Sequence, residues 1–255
     1  MVKFLIGNDD GIGATGIVLL EKIVKMISDD YRVVAPASHK SGAGHSITIA
    51  DALIMQKYDD RHYSVNGSPA DCISFGISQL YKNEAAPDIV LSGINFDRNY
   101  GSDVTSSGTV AVAIEGLICG IRSIALSQRM SSKIKSFDVA EVYCFEVLKK
   151  LLPVVNELPK NVLLNVNFPA CRPDVVVGVK MAKQAIYNQG REVKGPFTCP
   201  FGFDYYWQSD AVSDFTLYPQ DTDVYLSHCN YITVTPLKID LTSYESFAVL
   251  ERIKW

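Results

Sequence analysis

Short apolar runs along the chain alternate with segments whose apolar residues recur every three or four positions. Val2 to Ile6 is a run long enough for a buried strand. Beyond a glycine-rich loop, Ile17, Leu20, Val24 and Ile27 repeat at helical spacing, with Glu21, Lys22 and Lys25 on the other face. Tyr31 to Pro36 reads as a second strand, stopped by its proline. Pro87 introduces a third at Asp88 to Ser92; Ser123 to Ser127 and Asn161 to Val166 give a fourth and a fifth. Helical patterns fall between them at Pro69 to Lys82, Thr109 to Ile118 and Phe137 to Leu152. This alternation predicts an α/β fold, a mostly parallel sheet with helices on both faces.

Two stretches break the alternation. Ala52 to Gly67 reads as a β-hairpin insertion, with Asn66-Gly67 as a turn or helix lead-in. Ala182 to Tyr218 is aromatic, punctuated by Gly and Pro and poor in helix signals, which predicts a β-rich projecting arm. Tyr231 to Leu237 reads as a late strand and Tyr244 to Ile253 as a short terminal helix. The expected organisation is therefore a core over 1–181, an arm over 182–218, and a C-terminal strand and helix tail over 219–255 that returns to the core or to a neighbouring subunit. The arm carries Phe197, Phe201, Phe203, Tyr205, Tyr206 and Trp207. So many aromatics on a projecting element predict a partner that covers them, hence a homodimer or homotetramer. Packing is the favoured use of Tyr205, Tyr206 and Trp207; stacking on a base is the other.

At 255 residues, 47% hydrophobic and 20% charged, the chain has the composition of one large globular domain or a core with an appendage. A net charge of −4 argues against a nucleic-acid polymer as partner but leaves room for a small anionic substrate held locally. The six cysteines stand 25 or more residues apart without a C-x-x-C pair, unlike a zinc module or a secreted scaffold. With no signal-like apolar segment and no run long enough to span a membrane, the expectation is a cytoplasmic protein with reduced thiols and no membrane partner.

The chemistry concentrates in "NDDGIGATGI". Asp-Gly suits a hairpin turn, but a helical pattern follows where a hairpin needs a strand. Gly11 to Gly16 matches the dinucleotide fingerprint G-x-G-x-x-G, yet Asp9 and Asp10 intervene after the strand, and no acid ends the second strand at Val34-Ala35-Pro36. A carboxylate about 4 Å from a pyrophosphate charge costs roughly 4 kcal/mol at an effective dielectric of 20. Paired carboxylates at the C-terminal end of a strand suit a divalent cation, and Mg²⁺ and Mn²⁺ prefer such oxygen donors. The metal reading is the strongest of the three.

If the first strand delivers carboxylates, the ends of its neighbours deliver partners to the same rim. After Pro36 comes "ASHKSGAGHSIT", rich in glycine and hydroxyls; after Leu91 comes "SGINFDRNYGSD". Ser106-Ser107-Gly108-Thr109 then opens a helix, offering free N–H groups and a positive dipole end to an anion. N-capping by Ser106 or Ser107 accounts for the same residues, and turn formation for Asn95 and Asn99. His45 suits either a general acid or a structural hydrogen-bonder, while His39 and Lys40 bring positive charge to the rim or simply face solvent. Cys72 reads as a small core residue.

Six segments in order, "NDDGIGATGI", "VVAPASHKSGAGHSIT", "NGSPADC", "DIVLSGINFDRNYGSDV", "SSGTVAVAIEG" and "YITVTPLKIDLT", together resemble the stationary-phase survival protein SurE family. The resemblance runs from Val2 to Thr242 and implies a Rossmann-like fold with an exchanged arm. It further implies a metal-dependent 5′/3′-nucleotidase that also hydrolyses short polyphosphate. It implies one divalent ion per subunit, Mg²⁺ or Mn²⁺, on Asp9, Asp10, Ser41 and Asn95. Phosphate anchoring by Ser107, Gly108 and Thr109 is implied as well, with Asn99 near the pocket and a nucleoside monophosphate as substrate. On that assignment the side chains of Ser107 and Thr109 serve phosphate and are dispensable for the metal. Asp9 or Asp10 remains open as general base or nucleophile. Asp97 stands where the family has glycine, and aspartate tolerates a positive φ better than most residues. Ser106 replaces the usual Tyr or His, and Gly7 a hydroxyl residue.

Overall fold

A computed structural model describes residues 1–186, 192–209 and 214–253. Six parallel strands form the centre of a nine-stranded sheet: β1 (Phe4–Gly7), β2 (Tyr31–Pro36), β4 (His62–Val65), β5 (Ile89–Phe96), β6 (Arg122–Gln128) and β7 (Val162–Phe168). Their spatial order is β4-β2-β1-β5-β6-β7. Strand β3 (Met55–Lys57) pairs antiparallel with β4 at one edge. At the other edge β11 (Tyr231–Lys238) runs antiparallel to β7, and β8 (Gly178–Met181) runs parallel to β11.

The apolar strands are buried on both faces because helices cover both. Helices α1 (Thr15–Lys25) and α4 (Asp138–Leu151) send Ile17, Leu20, Val24, Val139, Cys144 and Leu148 into one core with Phe4, Ile6 and Leu91. On the opposite face α2 (Pro69–Leu80) and α3 (Gly108–Ile118) pack over Leu5, Val34 and Val90 through Cys72, Ile73 and Val112. Sequence dictates the start of α2: Ser68 and Asp71 form a capping box, and Pro69 follows the cap.

The chain leaves β1 toward β2 and later resumes at β5 on β1's other side. The strand order therefore reverses between β1 and β5, opening a crevice at their carboxyl ends. All the predicted central strands appear, but β5 extends to Phe96, past a register irregularity between Ser92 and Asn95. The Ala52–Gly67 insertion is a hairpin whose second strand joins β2, so it widens the sheet rather than projecting from it.

Within the Ala182–Tyr218 stretch, β9 (Glu192–Thr198) and β10 (Asp204–Ser209) form a separate antiparallel hairpin; its positions 187–191 and 210–213 lie outside the described residues. At the base of this arm Ala185 is buried with Tyr100 and Val224. The terminal helix shrinks to a 3-10 turn, Tyr244–Ser246, followed by α6 (Phe247–Leu250), because its apolar side chains stay exposed and find no core. Strand β8 and the short α5 (Asp223–His228) have no counterpart in the sequence pattern. All six cysteines are free, three of them buried, Cys72 among these. Among the described residues no helix is long and apolar enough to cross a membrane.

Candidate active site

The loop after β1 is closed by Asn8, which is buried and clamps Gly11 at two points. Its amide donates to Gly11 O at 3.0 Å and its carbonyl accepts from Gly11 N at 3.1 Å. The loop is laced to the end of β2 by Ile12 N to Pro36 O (3.0 Å) and Lys40 N to Asp9 O (2.8 Å). This framework turns Asp9 inward, leaving it 4% exposed. Its Oδ1 accepts from Thr109 Oγ1 at 2.5 Å, and its carboxylate rests on Gly108. Burial pushes the Asp9 carboxyl up to about 6, against the Thr109 hydrogen bond and with the Asp10 charge adding to the rise. Asp10 faces the other way. Its Oδ1 lies 3.2 Å from His39 Nδ1, and its Oδ2 accepts from Phe96 N at 3.3 Å.

Ser107 caps α3: its Oγ accepts from Val110 N at 3.0 Å, and its carbonyl accepts from Ala111 N at 3.0 Å. The N–H groups of Gly108 and Thr109 come first in the helix, where no intrahelical acceptor exists, so an anion can take both. The Thr109 side chain is fully buried and its hydroxyl is committed to Asp9. It braces a carboxylate instead of offering a hydroxyl to phosphate. The glycine-rich loop after β2 is fastened over the same helix start by Gly44 N to Ser106 O (3.1 Å). His45 Nε2 adds a contact to the buried Glu115 Oε2 at 2.9 Å. His45 is thus a structural partner of α3, and Ser41 sits exposed in the loop it anchors.

At the end of β5 the amide of Asn95 donates to Asp97 O at 2.8 Å, which leaves its side-chain oxygen for another partner. Asp97 adopts φ 99° and keeps the turn that glycine would favour. Its Oδ1 accepts from Arg98 N (2.7 Å) and Met130 N (3.0 Å) and its Oδ2 from Arg98 Nη1 (3.4 Å), so both oxygens already have donors. Asn99 is buried in an amide network. Its N donates to Asn167 Oδ1 (2.9 Å), its Nδ2 to Ser127 Oγ (2.9 Å), and its carbonyl accepts from Asn165 Nδ2 (2.7 Å) and Asn167 Nδ2 (3.1 Å). Asn165 and Asn167 were not anticipated from sequence. Their signal is two amides at i and i+2 in "VLLNVNF", on one face of a strand that is otherwise apolar.

The structure thus joins Asp9, Gly108 and Thr109 directly, ties Asp10 to the residue after Asn95, and brings Ser41 near through Lys40. Asn99 belongs to the floor beneath. Among the described residues no three His, Cys, Asp or Glu side chains gather to hold a metal ion. What the rim offers is a carboxylate pair with neutral oxygens, a hard donor set suited to Mg²⁺ or Mn²⁺. The buried Asp9 beside Asp10 concentrates negative charge that such a cation would balance. A dinucleotide's phosphates fit poorly, because these acids line the crevice.

A doubly wound α/β protein with an acid pair at its switch point, facing the capped start of a helix, is the class that fold and site define. The family model described as Survival protein SurE matches residues 4–191. Among curated relatives, the 5′-nucleotidase SurE of Caulobacter sp. (strain K31) is 40% identical over 98% of this chain and 93% of its own length. That of Chelativorans sp. (strain BNC1) is likewise 40% identical, over 99% and 98%. The crystal structure of the SurE protein from Aquifex aeolicus superposes with a TM-score of 0.81 at 36% identity, covering 98% of both chains. The chain belongs to the SurE family.

Proposed function

We propose that this protein is a divalent-metal-dependent phosphatase that hydrolyses nucleoside monophosphates to nucleoside and phosphate. The relatives' designation as 5′-nucleotidases supports this reading. The single observation that carries it is the seating of the Asp9 carboxylate on Gly108 and Thr109, which joins an acid pair to an anion-binding helix start. Asp9, Asp10, Ser41 and Asn95 would hold one cation, Mg²⁺ or Mn²⁺, per subunit. Such an ion, when bound, polarises a phosphoryl oxygen and lowers the pKa of the attacking water.

The chain's own groups do the rest. The Gly108 and Thr109 N–H groups and the α3 dipole hold the equatorial phosphoryl oxygens and stabilise charge that grows on them. Thr109 orients Asp9 through its hydroxyl. The loop pinned by His45 and Gly44 presents Ser41, and the amide network under Asn99 keeps the β5 loop in place.

Phosphate release from nucleoside monophosphates, with short polyphosphate alongside, tests the reading for wild type, Asp9→Asn and Asp10→Asn across a Mn²⁺ titration. Activity should collapse in both variants at ordinary Mn²⁺ and recover in part at high Mn²⁺. A variant that no metal concentration rescues marks its aspartate as base or nucleophile. A wild-type protein that binds mononucleotide yet releases no phosphate is a sensor and refutes the enzyme. Unchanged activity of both variants under chelator refutes the metal.

A further inference from the structure

A cleft of about 750 Å³ opens between the first turns of α1 and α4 and ends at Asp10. Its back wall is backbone: a Cβ on Gly16 would stand 1.8 Å from Ile94 O, so α1 settles directly onto β5. Its aromatic side is Phe96, at the very end of β5 and 48% exposed. The Phe96 ring is held edge-on by Phe137, with centroids 5.9 Å apart at 71°. At the mouth, Lys22 on α1 reaches Glu141 on α4 at 3.2 Å. Lys135 lines the cleft and has no ion-pair partner among the described residues.

Three features together indicate a ligand. The volume falls in the range of small-molecule sites, about 300–1,000 Å³. A large aromatic left half exposed at the rim, yet fixed in orientation by a second ring, is a ready stacking surface. The cleft also meets the phosphate end of the site across one peptide bond, with Asp9 turned toward α3 and Asp10 toward the cleft. Resting on the phosphatase reading, we propose that this cleft receives the nucleoside half of the substrate, with a purine base stacked on Phe96. A purine covers more of the ring than a pyrimidine does, and its ring nitrogens accept from a donor such as the Lys135 ammonium.

The test compares kcat/KM for adenosine monophosphate, uridine monophosphate and ribose 5-phosphate in wild type, Phe96→Ala and Phe96→Tyr. Wild type should favour the purine nucleotide over the other two. Phe96→Ala should shrink the ratio of adenosine monophosphate to ribose 5-phosphate by roughly 5- to 150-fold, the span of about 1–3 kcal/mol for one base stack. Phe96→Tyr should keep it. No preference in wild type, an unchanged ratio in Phe96→Ala, or an equal loss in Phe96→Tyr overturns the proposal.

Saturation-transfer NMR with adenosine reads the cleft without turnover. Base-proton signals should appear with wild type and vanish with Phe96→Ala; their absence from wild type or survival in the variant overturns the proposal. If no phosphomonoester is hydrolysed while the adenosine signal depends on Phe96, the phosphatase reading fails and the nucleoside cleft stands.

Discussion

A β-carbon at position 108 would lie 2.6 Å from Asp9 Cβ and 2.8 Å from its Oδ2, so Gly108→Ala must push the acid out of its seat. Displacements on the 1 Å scale cost catalysis about 100-fold. We expect Gly108→Ala to lose at least that in kcat/KM and, because the clash falls on a buried Cβ that only a backbone shift relieves, to lower the unfolding midpoint by an amount matching about 1–3 kcal/mol while the circular dichroism spectrum stays native. Thr109 acts on the same acid from the other side. Thr109→Val removes the donor to a buried carboxylate, and losing such a support around a metal ligand costs about 10–100-fold in affinity or activity. Calorimetry with Mn²⁺ should show weaker binding by Thr109→Val, and Thr109→Ser should restore most of it. This reverses the expectation drawn from resemblance, in which the Thr109 side chain served phosphate and left the metal untouched. The sequence made Asp9 and Asp10 visible because two acids spoil a phosphate-binding fingerprint. It could not show that Thr109 is spoken for, since a hydroxyl at a helix start reads alike whether it faces an anion or a neighbouring acid.

Elements were legible where apolar periodicity was long and uninterrupted. Helices α1 to α4 and the five predicted strands stand within a few residues of expectation, because burial on two faces leaves each strand few alternatives. Strand β8 leaves no apolar pattern because its residues are largely exposed and, among the described residues, pair with β11 alone. Helix α5 is six residues long, too short to show a period. Tertiary contacts specify it instead. Asp223 accepts from Gly101 N (3.0 Å) and Ala185 N (2.9 Å). At its other end His228 meets Tyr100 Oη (3.3 Å) and Arg129 (3.2 Å) and stacks on Phe215 at 4.5 Å.

Burial, with the nearby Arg129 and Arg98 charges, pushes His228 down to about 4 from its ordinary 6.5. The folded state therefore resists a proton that the unfolded chain accepts. His228 should leave stability unaffected above pH 6.5 and erode it as pH falls from 6.5 to about 4. Urea midpoints measured across that window should decline less steeply for His228→Gln than for wild type; parallel slopes would contradict the assignment.

On the scale of the whole molecule, the β9–β10 arm exposes Phe201 (85%), Phe203 (73%) and Trp207 (66%) in one hairpin. An apolar surface of this kind on a projecting element calls for a partner. Sedimentation at micromolar concentration should show a dimer or larger, and Phe203→Asp with Trp207→Asp should shift it toward monomer. A wild type that sediments only as monomer defeats the expectation. The sheet's far edge has a different consequence, one of timing. Strand β11 lies between β7 and β8, both made well before it, so β8 has no partner until residues 231–238 emerge. Every residue assigned to the metal and phosphate site precedes position 110, at the end of β5 or in the loops and helix start that follow β1, β2 and β5, strands that pair among themselves earlier. A chain still leaving the ribosome can therefore assemble its chemistry while β7 remains a bare edge, open to any strand that arrives first. Synthesis interrupted late should yield a protein with an intact crevice and an adhesive flank, and pauses in translation before residue 231 would lengthen that exposure.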